Sequence, residues 1–144
     1  MRTAYLVDDA PDIRLLLRAI VSRCGYESRE AGHGGEALRL LDEVVPDLVL
    51  LDVQMPEMDG WETLDRLRRD PRTTDTPVIL CTVKSHHDDM RRGWKSGCDG
   101  FLVKPFDIGE MVACIRAVEE LTIEQRREVR LRNLAALARL EAAP

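Results

Sequence analysis

The chain has 144 residues, 44% of them hydrophobic but only 4% aromatic, so it fits one domain with a largely aliphatic core. The formal net charge of −5 argues against general nucleic-acid binding, and no apolar run approaches the ~20 residues needed to span a bilayer. Asp8 and Asp9 follow the N-terminus too closely for a secretory signal peptide. We therefore expect a cytoplasmic protein with no membrane partner and no direct nucleic-acid binding.

Strand and helix patterns alternate five times along the chain. In chain order the predicted strand–helix pairs are TAYLVDD and APDIRLLLRAIVSRCGY, ESREA and AGHGGEALRLLDEVV, DLVLLD and GWETLDRLRRD, TPVILCT and HDDMRRGWKSG, and DGFLVKP with a helix that opens at Asp107. Alternation with short connections indicates an α/β protein with a parallel sheet. Five such units fit the flavodoxin-like doubly wound sheet, and the strand order 2-1-3-4-5 follows by analogy with that fold.

Two motifs near the predicted helix starts have structural interpretations. The GHGG stretch at 32–35 lacks the lysine and hydroxyl residue of a phosphate-binding P-loop and the spacing of a dinucleotide fingerprint. It is predicted to be a glycine turn that leads into the second helix. One of Asp8 and Asp9 is expected to cap the helix that begins near Pro11.

Four predicted strands end in side chains that can bind a metal ion or a phosphoryl group. Asp8 and Asp9 end the first strand, Asp52 the third, Thr82 the fourth and Lys104 the fifth. In a doubly wound sheet, ligands bind outside the carboxyl ends of the strands. We therefore expect three carboxylates, a hydroxyl and an ammonium to converge at one edge of the sheet.

This set of side chains predicts phosphoryl transfer. Three neighbouring carboxylates repel one another unless a divalent cation and the Lys104 ammonium offset their charge. Oxygen ligands favour Mg²⁺ over zinc, which prefers histidine and cysteine. Asp52 would then supply the nucleophilic oxygen, while Lys104 and Thr82 contact the phosphoryl oxygens.

The motifs that hold these residues closely resemble the receiver domain of bacterial two-component response regulators. They are VDD near the N-terminus, LLDVQMPEMDG, the CT pair that ends at Thr82, and FLVKPF, and they cover roughly residues 3–120. The resemblance implies that a sensor histidine kinase or a histidine phosphotransfer protein phosphorylates Asp52. It also implies that the protein is no enzyme beyond promoting its own aspartyl phosphorylation and dephosphorylation.

The same resemblance implies a set of metal ligands. Asp9, Asp52 and the backbone carbonyl of Gln54 would bind Mg²⁺ directly, whereas Asp8 would act mainly through water. A magnesium site of this kind is the one cofactor expected.

The resemblance further implies a conformational switch. Thr82 and Phe101 would form the switch pair, with the hydroxyl moving towards the phosphoryl group and the ring turning inward. Lys104 would bridge to the phosphoryl oxygens from a cis peptide bond to Pro105. The face formed by the fourth helix, the fifth strand and the fifth helix would then bind a partner or a second copy.

Two other functions compete with this interpretation. A phosphatase of the haloacid-dehalogenase type also uses a strand-end aspartate, but its general acid two residues later is replaced here by Gln54, which cannot donate a proton in that way. A degenerate receiver would act only as a binding module, although such proteins have lost residues that this chain retains.

The chain is expected to divide into a receiver domain at 1–120 and a helical C-terminal extension or linker at 121–144. Between Gly109 and Pro144 it contains no glycine or proline, so it can form one long helix. Thr122 and Gln125 have the spacing of a capping box, so a break near Thr122 is the alternative.

A leucine-rich face of this extension is expected to pack against another surface. Leu131, Leu134, Ala135 and Ala138 share one face at helical spacing, and Leu137 and Leu140 widen it. That face can fold back on its own domain, pair with a second copy or bind a partner. Among these we favour self-association into a homodimer.

Overall fold

The computed structural model describes residues 1–143, in which five strands alternate with five helices and a sixth helix follows. The strands are β1 (Arg2–Val7), β2 (Tyr26–Ala31), β3 (Leu48–Leu51), β4 (Val78–Thr82) and β5 (Gly100–Val103). The helices are α1 (Pro11–Arg23), α2 (Gly34–Leu40), α3 (Gly60–Arg69), α4 (His87–Ser96), α5 (Ile108–Glu119) and α6 (Ile123–Ala142). None of the helices in this part of the chain is long and apolar enough to cross a lipid bilayer.

All five strands are parallel and lie in the order β2-β1-β3-β4-β5, which confirms the predicted doubly wound sheet. Of the three inner strands, β3 and β4 are buried along their whole length, because helices cover both faces of the sheet. Alternate residues point to opposite faces, so Leu48 and Leu50 pack with α1 and α5, whereas Val49 and Leu51 pack with α2 and α3. Two aliphatic layers therefore hold the strand ends rigidly at one edge.

The start of α1 differs from the sequence prediction. Its N-cap is Ala10, with Pro11 in the first turn, and neither Asp8 nor Asp9 caps the helix. Instead, the Ala10 N–H donates to Asp8 Oδ1 at 3.0 Å, before the helix begins. Asp8 Oδ2 accepts a hydrogen bond from Lys104, which holds this carboxylate at the edge of the sheet, away from the first turn of α1.

The predicted break near Thr122 is present, and the single long helix is not. The Thr122 hydroxyl accepts from the Gln125 N–H at 3.1 Å, and the Thr122 N–H donates to Gln125 Oε1 at 2.9 Å. This capping box satisfies backbone groups at the start of α6 and lets the chain turn after α5.

Helix α6 folds back along α4 of the same chain, which was one of the three arrangements considered for its cover. The predicted leucine face packs only in part: Leu137, at its margin, is buried together with Arg126, whereas Leu131 is 67% exposed. Arg126 and Arg130 turn inward because the buried Asp99 carboxylate attracts both guanidiniums. The ion pairs of these two arginines with Asp99 thus help to set which face of α6 packs. The hydrophobic pattern of the sequence does not reveal them.

Candidate functional site

The structure brings together the three carboxylates that were expected to converge. Carboxylate oxygens of Asp8, Asp9 and Asp52 lie within 4.8 Å of one another. Asp8 and Asp52 are buried and Asp9 is exposed, so the cluster opens to solvent on one side. The β1 and β3 backbones hold this geometry: the Asp8 N–H donates to Ala31 and the Asp52 N–H donates to Val7.

Lys104 closes the inner side of this cluster. Its Nζ lies 2.6 Å from Asp8 Oδ2 and 3.3 Å from Asp52 Oδ2. The Lys104 N–H donates to the Thr82 carbonyl at 2.8 Å, which fixes the lysine beside the end of β4. The peptide bond to Pro105 is cis, as the family resemblance implied. One ammonium therefore serves two buried carboxylates.

Burial and charge act in opposite directions on these groups. Desolvation raises the pKa of Asp52 above its ordinary value, and the Asp8 carboxylate adds to this, whereas the Lys104 ammonium opposes it. Desolvation lowers the pKa of Lys104, but hydrogen bonds and charges from Asp8 and Asp52 outweigh it, so that pKa is raised. Lys104 is therefore held in its charged form. A further positive charge near Asp52 would favour the ionised form of its carboxylate.

The two expected switch residues lie on neighbouring strands. Thr82 is fully buried, and its Oγ1 accepts from the Lys84 N–H at 3.2 Å. Phe101 is half-buried in β5, and its ring packs against α4: a methyl group added at Gly93 would lie 3.1 Å from the ring. Thr82 thus lies at the end of β4, beside the site, and Phe101 lies on β5, the strand that Lys104 follows.

The loop after β3 forms the mouth of the site. The Gln54 N–H donates to Asp52 Oδ1 at 3.2 Å, so the loop backbone helps to hold the central carboxylate. A cavity of about 460 Å³ opens here, between this loop and the loop after β4. It is lined by Asp9, Val53, Gln54, Met55, Pro56, Asp59, Trp61 and Lys84. The mouth of the site is therefore an open hollow beside Asp9.

Gly60 supports the central carboxylate in a way that the sequence did not reveal. A Cβ at this position would overlap the backbone carbonyl of Asp52 and the Cα of Val53. The Gly60 N–H donates to Val53 at 2.8 Å, which brings the start of α3 against the end of β3. The sequence does not reveal this contact, because it joins two segments whose approach depends on the folded sheet.

The donor set fits a hard divalent cation. The three side chains offer only carboxylate oxygens, close enough to share one ion, and the cluster has an open side for water or phosphate. Mg²⁺ prefers such ligands, whereas zinc prefers histidine and cysteine. The acidic cluster can therefore bind Mg²⁺.

Comparison with known proteins agrees with this geometry. A model of the family described as the response regulator receiver domain matches residues 4–116. Over 118 residues, the chain is 39% identical to the DNA-binding dual master transcriptional regulator RpaA of Synechocystis sp. and 42% identical to the transcriptional regulatory protein CpxR of Klebsiella pneumoniae. Each match covers 82% of this chain and 49% of the relative, so the chain spans about half the length of these curated relatives.

Solved structures show the same architecture. The chemotaxis protein CheY4 of Vibrio cholerae superposes with a TM-score of 0.77 at 30% identity, covering 82% of this chain and 98% of that chain. A putative response regulator from Chloroflexus aurantiacus superposes with a TM-score of 0.76, also at 30% identity, covering 81% and 96%. These matches agree with the flavodoxin-like sheet.

Proposed function

Because the chain belongs to the response regulator receiver domain family, we propose that Asp52 accepts a phosphoryl group from a phosphohistidine. The donor would be a sensor histidine kinase or a histidine phosphotransfer protein in the cytoplasm. A carboxylate oxygen of Asp52 attacks phosphorus, and the P–N bond breaks with its electron pair remaining on the imidazole. The observation that carries this proposal is the single Lys104 ammonium bound to both Asp52 and Asp8 at the mouth of the sheet.

Each group of the cluster has a role in this proposal. Asp9, Asp52 and the Gln54 carbonyl would hold Mg²⁺ directly, and Asp8 would hold it mainly through water. The ion would neutralise charge on the transferred group when bound. Lys104 contacts phosphoryl oxygens from the opposite side, since its ammonium already lies 3.3 Å from Asp52 Oδ2.

Phosphorylation would change the conformation of residues in β4 and β5. In this proposal the Thr82 hydroxyl donates to a phosphoryl oxygen, and Phe101 responds as its switch partner. The face formed by α4, β5 and α5 then changes its affinity for a partner or for a second copy. Residues 1–120 act as the receiver and 121–144 as its helical extension, and the chain catalyses only its own phosphorylation and dephosphorylation.

Phosphorylation by a small donor tests the proposal. Incubation with acetyl phosphate and Mg²⁺ should add one phosphoryl group to the intact chain, detected by mass spectrometry. Asp52→Asn should abolish the addition, whereas Asp65→Asn, on an exposed part of α3, should retain it. EDTA should also prevent it, because the carboxylates then repel the incoming phosphate.

Three results would contradict the assignment. Continued labelling of Asp52→Asn would place the phosphoryl group elsewhere. Repeated turnover of p-nitrophenyl phosphate would indicate a phosphatase instead. No spectral response to beryllofluoride with Mg²⁺, in a protein that acetyl phosphate also fails to label, would indicate a module that only binds partners.

A further inference from the structure

One buried carboxylate anchors α6 to the rest of the molecule. Asp99 lies immediately before β5, and its side chain is fully buried. It contacts Arg68 of α3 at 2.9 Å, Arg126 at 3.1 Å and Arg130 at 2.5 Å, and the last two belong to α6. A buried carboxylate needs such partners, and removing them leaves a costly unpaired charge. The Arg126 and Arg130 contacts therefore favour the docked position of α6.

Further contacts tie α6 to its surroundings at both ends. Near its start, Arg126 also donates to the Asp75 carbonyl at 2.6 Å, in the loop before β4. Near its end, Glu141 pairs with Arg91 of α4, and between them Leu137 is buried. Helix α4 is thus held between the sheet on one side and α6 on the other.

Strand β5 connects this anchor to Asp52. The strand begins just after Asp99 and is followed directly by Lys104, whose ammonium contacts Asp52 and Asp8. Between them, the Phe101 ring packs against Gly93 of α4. A change at Lys104 therefore has a short contiguous route to both surfaces against which α6 is docked.

We propose that docking of α6 and occupation of Asp52 by a phosphoryl group are coupled through β5 and α4, with docked α6 favouring the unoccupied site. This inference rests on the function proposed above. The contacts of α6 occur together with the ion pairs that Lys104, at the end of β5, forms with Asp8 and Asp52. A phosphoryl group on Asp52 gives Lys104 a new partner, so β5 and α4 adjust at the expense of the α6 contacts. By linkage, loosening α6 must favour occupation to the same extent.

Beryllofluoride, a stable mimic of the aspartyl phosphoryl group, tests this coupling in the full chain. The double variant Arg126→Ala/Arg130→Ala removes the α6 contacts to Asp99 but leaves that carboxylate paired with Arg68. The matched control Arg132→Ala/Arg139→Ala removes two arginines from exposed positions of α6. Affinity for beryllofluoride with Mg²⁺ is measured by tryptophan fluorescence, and amide exchange of 123–142 by mass spectrometry.

We expect the Arg126/Arg130 double variant to bind beryllofluoride about fivefold or more tightly than wild type, and the control to match wild type. Beryllofluoride should also speed amide exchange of 123–142 in wild type and in the control. Equal affinity in all three proteins, with unchanged exchange, would overturn the coupling and leave the proposed function intact. Absence of beryllofluoride binding by wild type would overturn the proposed function and the coupling together.

Discussion

The Lys104 ammonium lies closer to Asp8 than to Asp52, at 2.6 Å against 3.3 Å. The lysine therefore binds Asp8 most closely, and not Asp52, which we propose as the phosphoacceptor. In this position it neutralises part of the acidic cluster and leaves the Asp52 oxygens less firmly engaged. It also competes with any cation for the same carboxylates.

Removal of the ammonium should separate metal binding from phosphorylation. Lys104→Met should bind Mg²⁺ several-fold more tightly, because the cluster loses a positive charge that competes with the ion. The same variant should accept a phosphoryl group from acetyl phosphate much more slowly, because nothing then offsets charge on the incoming oxygens. Fluorescence titration and intact-mass labelling measure the two effects, with Lys84→Met as the control for loss of a lysine at the mouth. Weaker Mg²⁺ binding by Lys104→Met would contradict this prediction.

Ionisation of Asp52 should reduce stability as the pH rises. Its pKa is raised mainly by burial, so the folded state binds a proton at this carboxyl more tightly than the unfolded state does. Below the ordinary carboxyl pKa both states are protonated, and Asp52 does not reduce the free energy of unfolding. As the pH rises through the raised pKa, ionisation of the buried carboxyl lowers that free energy.

Asp52→Asn should remove that penalty. Its free energy of unfolding in urea, relative to wild type, should therefore increase from about pH 4 towards neutral pH. Mg²⁺ should raise the thermal midpoint of wild type at neutral pH but have a smaller effect on Asp52→Asn. Asp65→Asn, whose carboxyl is exposed, is the control. A difference between Asp52→Asn and wild type that does not change with pH would refute this account.

Lys84 should prolong the life of the aspartyl phosphate. Its side chain lines the mouth of the site with Asp9 and Gln54, so it narrows the approach of water to Asp52. Lys84→Ala should therefore hydrolyse its phosphoryl group a few-fold faster than wild type, measured by loss of the added mass over time. Val83→Ala is the matched control, because Val83 is 58% exposed and is not among the residues that line the mouth. Identical rates for Lys84→Ala and wild type would count against this role.

Gly34 should tolerate no side chain, although Gly32 in the same GHGG motif should. A Cβ at Gly34 would overlap Thr63 Oγ1 in α3 and lie 2.9 Å from Met58 Cγ in the loop between β3 and α3. Thr63 cannot easily move, because its hydroxyl donates to the Asp59 carbonyl at 2.7 Å. Gly34→Ala should lower the free energy of unfolding by about 1–3 kcal/mol, measured by urea unfolding.

The control for this prediction is Gly32→Ala, since a Cβ at Gly32 would meet only side-chain atoms at ordinary distances of 3.8 and 4.0 Å. Combining Gly34→Ala with Thr63→Ala should restore part of the lost stability. Equal stability of Gly34→Ala and Gly32→Ala would show that the close contact does not matter.

Self-association through α6 stays a prediction from the sequence. Leu131 is 67% exposed and Leu140 is 59% exposed, so these leucines lie outside the contact with α4. We expect light scattering to detect a dimer at tens of micromolar, and Leu131→Glu to reduce it to a monomer. Arg132→Glu, at the next position of α6, should remain dimeric. A monomeric wild type, with and without beryllofluoride, would rule out this mode of association.

The sequence alone determined the class of the fold and the membership of the candidate site. Alternating strand and helix patterns are local, and so is the appearance of an acid, a threonine or a lysine where each strand ends. Parallel strands bring their carboxyl ends to one edge, so Asp8, Asp9, Asp52 and Lys104 could be predicted to meet before any distance was known. The capping-box spacing at Thr122 likewise offered the correct break between α5 and α6 as one of two alternatives.

Only the tertiary structure decided which partner each charged group takes. The closest contact of Lys104 is with Asp8 rather than Asp52, and Asp8 serves this cluster instead of capping α1. The face of α6 that packs combines Arg126 and Arg130 with Leu137 and leaves Leu131 exposed, because a buried carboxylate distant in sequence must be paired. Hydrophobic periodicity reports the local preference of each side chain for water or for the core. The desolvation of Asp99 depends on segments that meet only when the chain has folded, and this is why the sequence could not reveal it.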